Sequence, residues 1–185
     1  MSKIVDIFPE ILWIEDALLR EKVEKTFLLG LEIGGLSINS LSEMAYTATY
    51  ATNIKYRTHV RLVTTIATAM YDSCAKAHEE YVLPNRDYLV AGALLHDVGK
   101  LLELELSSDG KTVKSASGKL LRHAFTGVYL AMQNDLPDEI VHIIAVHSHE
   151  GVASHPTILG HFVRQADQAC ERYSDWVLEN NNTQG

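Results

Sequence analysis

A chain of 185 residues is long enough to bury a real hydrophobic core and reads as one domain. Its 46% apolar and 22% charged content is that of a soluble globular protein. A net charge of −8, with histidines neutral, argues against a surface for nucleic-acid polymers or anionic membranes, which need a basic stripe.

The N-terminus has no basic stretch followed by an apolar one, and no window approaches the roughly 20 apolar residues of a membrane span, so the expected location is the cytoplasm. Residues 1–55 read as a helical lead-in that packs on the same domain, with Pro9 opening an apolar turn. From Glu15 to Leu31, Leu18, Leu19, Val23, Phe27 and Leu28 recur at helical spacing, and Gly34-Gly35 ends the element. Asn39-Ser-Leu-Ser-Glu43 offers a cap for a short helix, and the Thr/Tyr/Ala run after it has no clear type. A long helix is predicted from Tyr56 to about Glu80, with His59 on the stripe formed by Val60, Val63, Ile66, Ala67 and Met70. The apolar run Tyr88 to Leu95 reads as a core helix and ends in His96-Asp97-Val98-Gly99-Lys100.

Next, Leu102-Glu-Leu-Glu-Leu106 and Lys111-Thr-Val-Lys-Ser115 alternate around a Ser-Ser-Asp-Gly turn, the pattern of a small exposed hairpin. Helices follow over Leu120 to Asn134, carrying Leu121, Ala124, Phe125, Val128 and Leu130, and from Leu136-Pro137 through His147 to a break near Gly151. The last helix starts at His155-Pro-Thr157 and reaches about Leu178, leaving 179–185 as a frayed tail. Cys74 and Cys170 sit outside any Cys/His zinc spacing, and in predicted helices they read as buried free thiols. The expected fold is an all-α helical bundle over residues 56–178 with one inserted β-hairpin.

A core helix that delivers His96 and Asp97 side by side needs a reason, because unpaired buried polar groups are costly. Neighbouring helical residues point about 100° apart, so the pair can serve one ion in the wedge between them, or two ions if the aspartate bridges. His59, His123, His147 and Asp167 also lie in apolar helical stretches. His78, His142, His155 and His161 have surface, off-face or capping explanations. Each remaining residue alone is more often a hydrogen-bonded core group than a ligand. A core holding four histidines and two carboxylates is hard to stabilise without metal. This donor set, free of thiolates, suits iron, manganese, zinc or magnesium rather than a structural zinc site.

In the order His59 … His96-Asp97 … His123 … His147 … Asp167, the chain resembles the HD-domain superfamily of metal-dependent phosphohydrolases over about residues 56–170. His-Asp-Val-Gly-Lys matches the family's His-Asp-x-Gly-Lys form, and His123-Ala-Phe-Thr-Gly127 and His147-Ser-His-Glu-Gly151 occupy the places of the next two histidine motifs of its dinuclear members. The resemblance implies that His59, His96, Asp97 and Asp167 hold one divalent ion, and that Asp97 bridges to a second held by His123 and His147. Iron or manganese leads, with zinc, magnesium, nickel or cobalt as further choices. Asp97 and Lys100 would be catalytic, Lys100 contacting a substrate phosphate. His149, Glu150 and Arg122, beside the ligand histidines, are further substrate-facing candidates.

The activity implied is that of a phosphodiesterase acting on a small phosphorylated substrate, nucleotide-like or pterin-like and cyclic, through a metal-activated hydroxide. The sequence after His147-Ser-His-Glu lacks the Gly-Tyr-Pro motif of relatives that cleave cyclic dinucleotides. The same ligand set also fits relatives that hold two irons and oxidise organophosphonates or polyols with dioxygen. The Lys of the His-Asp-x-Gly-Lys motif tilts the reading to hydrolysis. A homo-oligomer is compatible with the chain, and neither a membrane nor a nucleic-acid polymer is an expected partner.

Overall fold

The structure, a computed structural model, describes residues 3–50, 52–151 and 153–181. The N-terminal part forms α1 (Lys3–Ile7), a 3-10 turn (Pro9–Trp13), α2 (Ala17–Ile33) and α3 (Ser40–Glu43). The rest forms α4 (Tyr56–Ala77), α5 (Arg86–Leu95), α6 (Lys100–Glu103), β1 (Leu104–Leu106), β2 (Thr112–Lys114), α7 (His123–Gln133), α8 (Asp138–Val146) and α9 (Ile158–Asn181). The fold is an all-α bundle with one small two-stranded sheet. Among the described residues, no helix is long and apolar enough to cross a membrane.

Helix α5 is the centre. Asn85 caps it by accepting from the Asp87 N–H, and every residue from Leu89 to Leu95 is buried against α2, α4, α8 and α9. Gly92 allows the closest of these approaches, because a Cβ there would lie 2.6 Å from Ile143 Cδ1 of α8. On α2, Asp16 caps the amides of Leu18 and Leu19. Leu19, Val23, Phe27 and Leu31, four residues apart, then make the buried face. Leu18 and Leu28 fall off that stripe and face solvent. On α7 the inner face is Ala124, Leu130 and Ala131, while Phe125 is exposed, as is Leu121, which lies before the helix rather than on it, contrary to the apolar pattern read from the sequence.

Two further expectations are corrected. Cys74 lies on the outer side of α4 near its C-terminal end and is exposed, whereas Cys170 is buried as expected. The alternation from Leu102 does not begin a strand there: Leu102 and Glu103 close a helical turn by donating their amides to the Gly99 carbonyl, and the hairpin starts at Leu104. Its register pairs Leu104 with Lys114 and Leu106 with Thr112. Leu104 is buried, so the hairpin root belongs to the core. Helix α9 runs to Asn181, three residues beyond the expected end, and residues 182–185 of the expected frayed tail lie outside the described residues.

The N-terminal segment does two different things. Ile4, Phe8, Ile11, Phe27 and Leu41 share one apolar cluster with Val90, Leu94 and Leu101, and Phe8 stacks on Phe27 at 4.7 Å. Residues 45–50 and 52–55 instead form a strap. Its ends are pinned together by Tyr46 N–H to Ile54 O and Tyr56 N–H to Met44 O, and Ala45 N–H donates to Thr112 Oγ1 of the hairpin.

Candidate metal centre

Five helices and one turn deliver the six side chains, and none is more than 7% exposed. His59 sits in the first turns of α4, on its buried stripe. His96 and His147 occupy equivalent places, just past the C-terminal ends of α5 and α8. In both, Nδ1 donates to the carbonyl three residues back, Ala93 and Ile144 respectively, at 2.7 Å. Asp97 follows His96 in the turn before α6. His123 opens α7, and its Nδ1 is 3.0 Å from Glu103 Oε2, the same oxygen that accepts the His123 amide at 2.8 Å. Asp167 projects from α9.

These side chains fall into two trios, His59/His96/Asp167 and Asp97/His123/His147. In the first, His59 Nε2 is 3.1 Å from Asp167 Oδ1 and 3.4 Å from His96 Nε2. In the second, His123 Nε2 is 3.4 Å from Asp97 Oδ1 and 3.2 Å from His147 Nε2. Asp97 turns its other oxygen to the first trio, with Oδ2 3.2 Å from His59 Nε2 and 3.4 Å from His96 Nε2.

The donor chemistry fits a cation in each trio. Where Nδ1 donates to a carbonyl or carboxylate, as in His96, His123 and His147, Nε2 presents a lone pair, and in the second trio two such nitrogens face one another. Lone pairs at that separation repel unless positive charge lies between them. Donors held about 2.0–2.2 Å from one ion are themselves about 3 to 3.5 Å apart, close to the spacing found here. Burial pushes Asp97 up, but the Lys100 ammonium and the surrounding imidazoles reverse this and hold it well below the usual carboxylate range. Asp167 behaves alike, held down to about 2 by His59 and His96 against its burial. The pocket therefore keeps two ionised carboxylates among its imidazoles.

Lys100 donates to Asp97 Oδ2 at 2.6 Å and lies over the Tyr46 ring, 5.2 Å from its centre. Tyr46 in turn stacks on His59 at 4.6 Å. A cavity of about 150 Å³ opens onto Asp97, His123, His147 and Asp167. Lys100, Arg122, His149 and Arg164 line it, so three of the substrate-facing candidates reach it. Glu150 does not line it. Its carboxylate faces Arg122 Nε at 2.9 Å, off hydrogen-bond alignment, and accepts from Ser148 Oγ.

Sequence reasoning missed four residues around the site. Glu103, held down to about 2 by its contacts with His123 against its burial, reads in sequence as one of two equivalent glutamates in an alternating run. Its only signal is its place one helical turn past Gly99. Tyr46 lies in a segment with no clear pattern. Arg164 and Glu171 stand one turn before and one turn after Asp167, and that spacing marks them as neighbours on the site face of α9.

The family profile of the HD domain matches residues 56–170, more than half of the chain. The chain is 33% identical over 118 residues to the dihydroneopterin 2',3'-cyclic phosphate phosphodiesterase of Methanocaldococcus jannaschii. That match covers 63% of this chain and 46% of the relative, so the chain spans less than half of the relative's length. No solved structure matches the chain.

Proposed function

Because the chain belongs to the HD-domain family, we propose that it is a metal-dependent phosphodiesterase that opens a small cyclic phosphate, nucleotide-like or pterin-like. The observation that carries this reading is the pair of buried trios on either side of Asp97, with one carboxylate oxygen turned to each. His59, His96 and Asp167 would hold one divalent ion, His123 and His147 a second, and Asp97 would serve both. Iron or manganese suits this nitrogen and oxygen set. Two such ions would supply neutralised phosphoryl charge and a water whose pKa falls from 15.7 towards about 7.

The chain's own groups do the rest. Arg122, Arg164 and Lys100, on the walls of the cavity above the trios, receive the phosphoryl oxygens where negative charge develops. Lys100, 2.6 Å from Asp97 Oδ2, would put its charge beside the phosphoryl group. Glu103 and the Ala93 and Ile144 carbonyls hold three imidazoles in one tautomer and orientation, so no rotation is needed at the moment of reaction. In the balanced step, a water oxygen forms a bond to phosphorus, one ring P–O bond breaks, and the freed alkoxide takes up a proton, leaving a phosphomonoester.

Metal-loaded full-length protein, offered 2',3'-cyclic nucleotides, should yield ring-opened monoesters identified by chromatography. The activity should be lost in Asp97→Asn. The activity of the Methanocaldococcus jannaschii relative favours hydrolysis over the di-iron oxygenase reading. Oxygen uptake with an organophosphonate, and no cleavage of any cyclic phosphodiester, would reverse that order.

A further inference from the structure

A second cavity of about 190 Å³ adjoins the first. Its walls are the strap residues 46–50 on one side and Leu104 and Lys114 of the hairpin on the other. The two cavities share Lys100, Arg122, His123 and Glu171. Neither reaches the roughly 300 Å³ at which small-ligand sites begin, and the two together do. The pair is therefore the size of one divided site. One half faces the trios and is rimmed with cations. The other is aromatic: Tyr50, 37% exposed, lies edge-on to the buried Tyr46 with ring centres 6.4 Å apart, and their hydroxyls are hydrogen-bonded, which holds the Tyr50 ring as the aromatic wall.

Glu171 stands where the halves meet. Its side chain is exposed and, among the described residues, its carboxylate has no hydrogen-bond or ion-pair partner, so it is open to a ligand, although Lys100, Arg122 and Lys114 line the same walls. Those cations are engaged elsewhere, Lys100 with Asp97 at 2.6 Å, Arg122 with Glu150 at 2.9 Å, and Lys114 near Glu103 at 3.7 Å. A carboxylate repels phosphate, so it does not serve the phosphoryl end. A carboxylate only accepts hydrogen bonds, and two parallel N–H donors satisfy it best.

We propose that the strap cavity binds the planar ring of the substrate, and that Glu171 reads the paired N–H edge of a guanine-type heterocycle. The phosphate end of this substrate rests on the function proposed above. The edge in question is a ring N–H beside an exocyclic amino group, which guanine and pterin share. Adenine lacks the ring N–H, and in uracil that N–H is flanked by carbonyls that a carboxylate repels. The aromatic wall supplies a face for stacking, and Glu171 supplies the selection.

Binding of guanosine, neopterin, adenosine and uridine to metal-loaded full-length protein, followed by NMR or calorimetry, tests this without any turnover. Guanosine or neopterin should bind at least about tenfold more tightly than adenosine or uridine, and their ratio says which ring source the cavity prefers. Glu171→Gln should remove about ten- to a hundredfold of that preference, the worth of one bidentate pair. It should leave metal content and the affinity for inorganic phosphate in place. Thr49→Trp, at an exposed strap position, should fill the cavity and weaken all four rings while sparing phosphate. Equal binding of the four rings, no binding of any, or a preference that survives Glu171→Gln would overturn the proposal. Selective ring binding without cleavage of any cyclic phosphate would instead sink the phosphodiesterase reading and leave this one standing.

Discussion

Asp97 turns one oxygen to each trio, so its loss should be felt on both sides. Asp97→Asn keeps the shape and removes the charge, and metal analysis should show stoichiometry falling well below that of His123→Ala, which damages one trio only. Glu103 accepts the His123 backbone N–H and lies 3.0 Å from its Nδ1. Glu103→Gln should weaken metal binding about ten- to a hundredfold, as loss of such a supporting carboxylate typically does. Its folded pKa of about 2 lies below the ordinary glutamate value of 4.5, so its contribution is fully present above about pH 4.5 and disappears as pH falls towards 2. Acid unfolding of the metal-free wild type and Glu103→Gln should therefore diverge above that window and converge at its bottom. Arg164 lines the trio cavity with no ion-pair partner among the described residues. Arg164→Ala should raise KM for a phosphodiester about tenfold or more, the scale of one charge-assisted hydrogen bond, with metal content unchanged. Burial and the nearby Asp167 and Glu171 carboxylates push the Cys170 thiol up to about 12, so maleimide should label one cysteine, the exposed Cys74, in the native protein and two after denaturation. The six metal-ligand candidates were legible because each polar group interrupts an apolar helical face. Glu103 and Tyr46 were not, because their neighbours come from segments distant in sequence.

At the level of elements, the glycine of His-Asp-x-Gly-Lys has a specific task. A Cβ on Gly99 would lie 2.0 Å from the His123 carbonyl oxygen, so its absence lets the first turn of α7 press against the turn holding Asp97. Thr126 Oγ1 seals the contact by donating to the Gly99 carbonyl at 3.2 Å. Gly99→Ala must push α7 outward. It should cost about 1–3 kcal/mol, as overpacking does, and lower metal stoichiometry through His123 while His59, His96 and Asp167 keep their places. Thermal unfolding together with metal analysis would show both. Long helices with continuous apolar stripes, α4, α5 and α8, were readable to within a few residues. The hairpin start was misplaced because Leu-Glu-Leu alternation describes a strand and a short amphipathic turn equally well, and the backbone bonds to Gly99 decide between them. The outward face of α7 was misjudged for a related reason: spacing gives a face, and only the neighbours say which face is covered.

Taken as a whole, the folding unit is larger than the stretch that matches the HD profile. That stretch begins at residue 56, yet Ile4, Phe8, Ile11 and Phe27 are fully buried in the same cluster as Val90 and Leu94. A chain starting at residue 56 should bind apolar dyes and lose its near-ultraviolet dichroism, whereas the full chain should unfold in one cooperative step. The lead-in was legible as helical, but its closing strap was not, since residues 45–50 and 52–55 are held by the pairing of their two ends and by Thr112 of β2 rather than by a periodic pattern of their own. All six metal-ligand candidates lie inside the matched stretch, while Tyr46, Tyr50 and Glu171 stand just outside its two margins. On the two proposals above, reactivity and selectivity would be carried by separable lengths of chain. Grafting the strap and the turn of α9 around residue 171 from another member of the family is then a route to a new appetite with the old chemistry intact, and the same exchange is open to natural divergence.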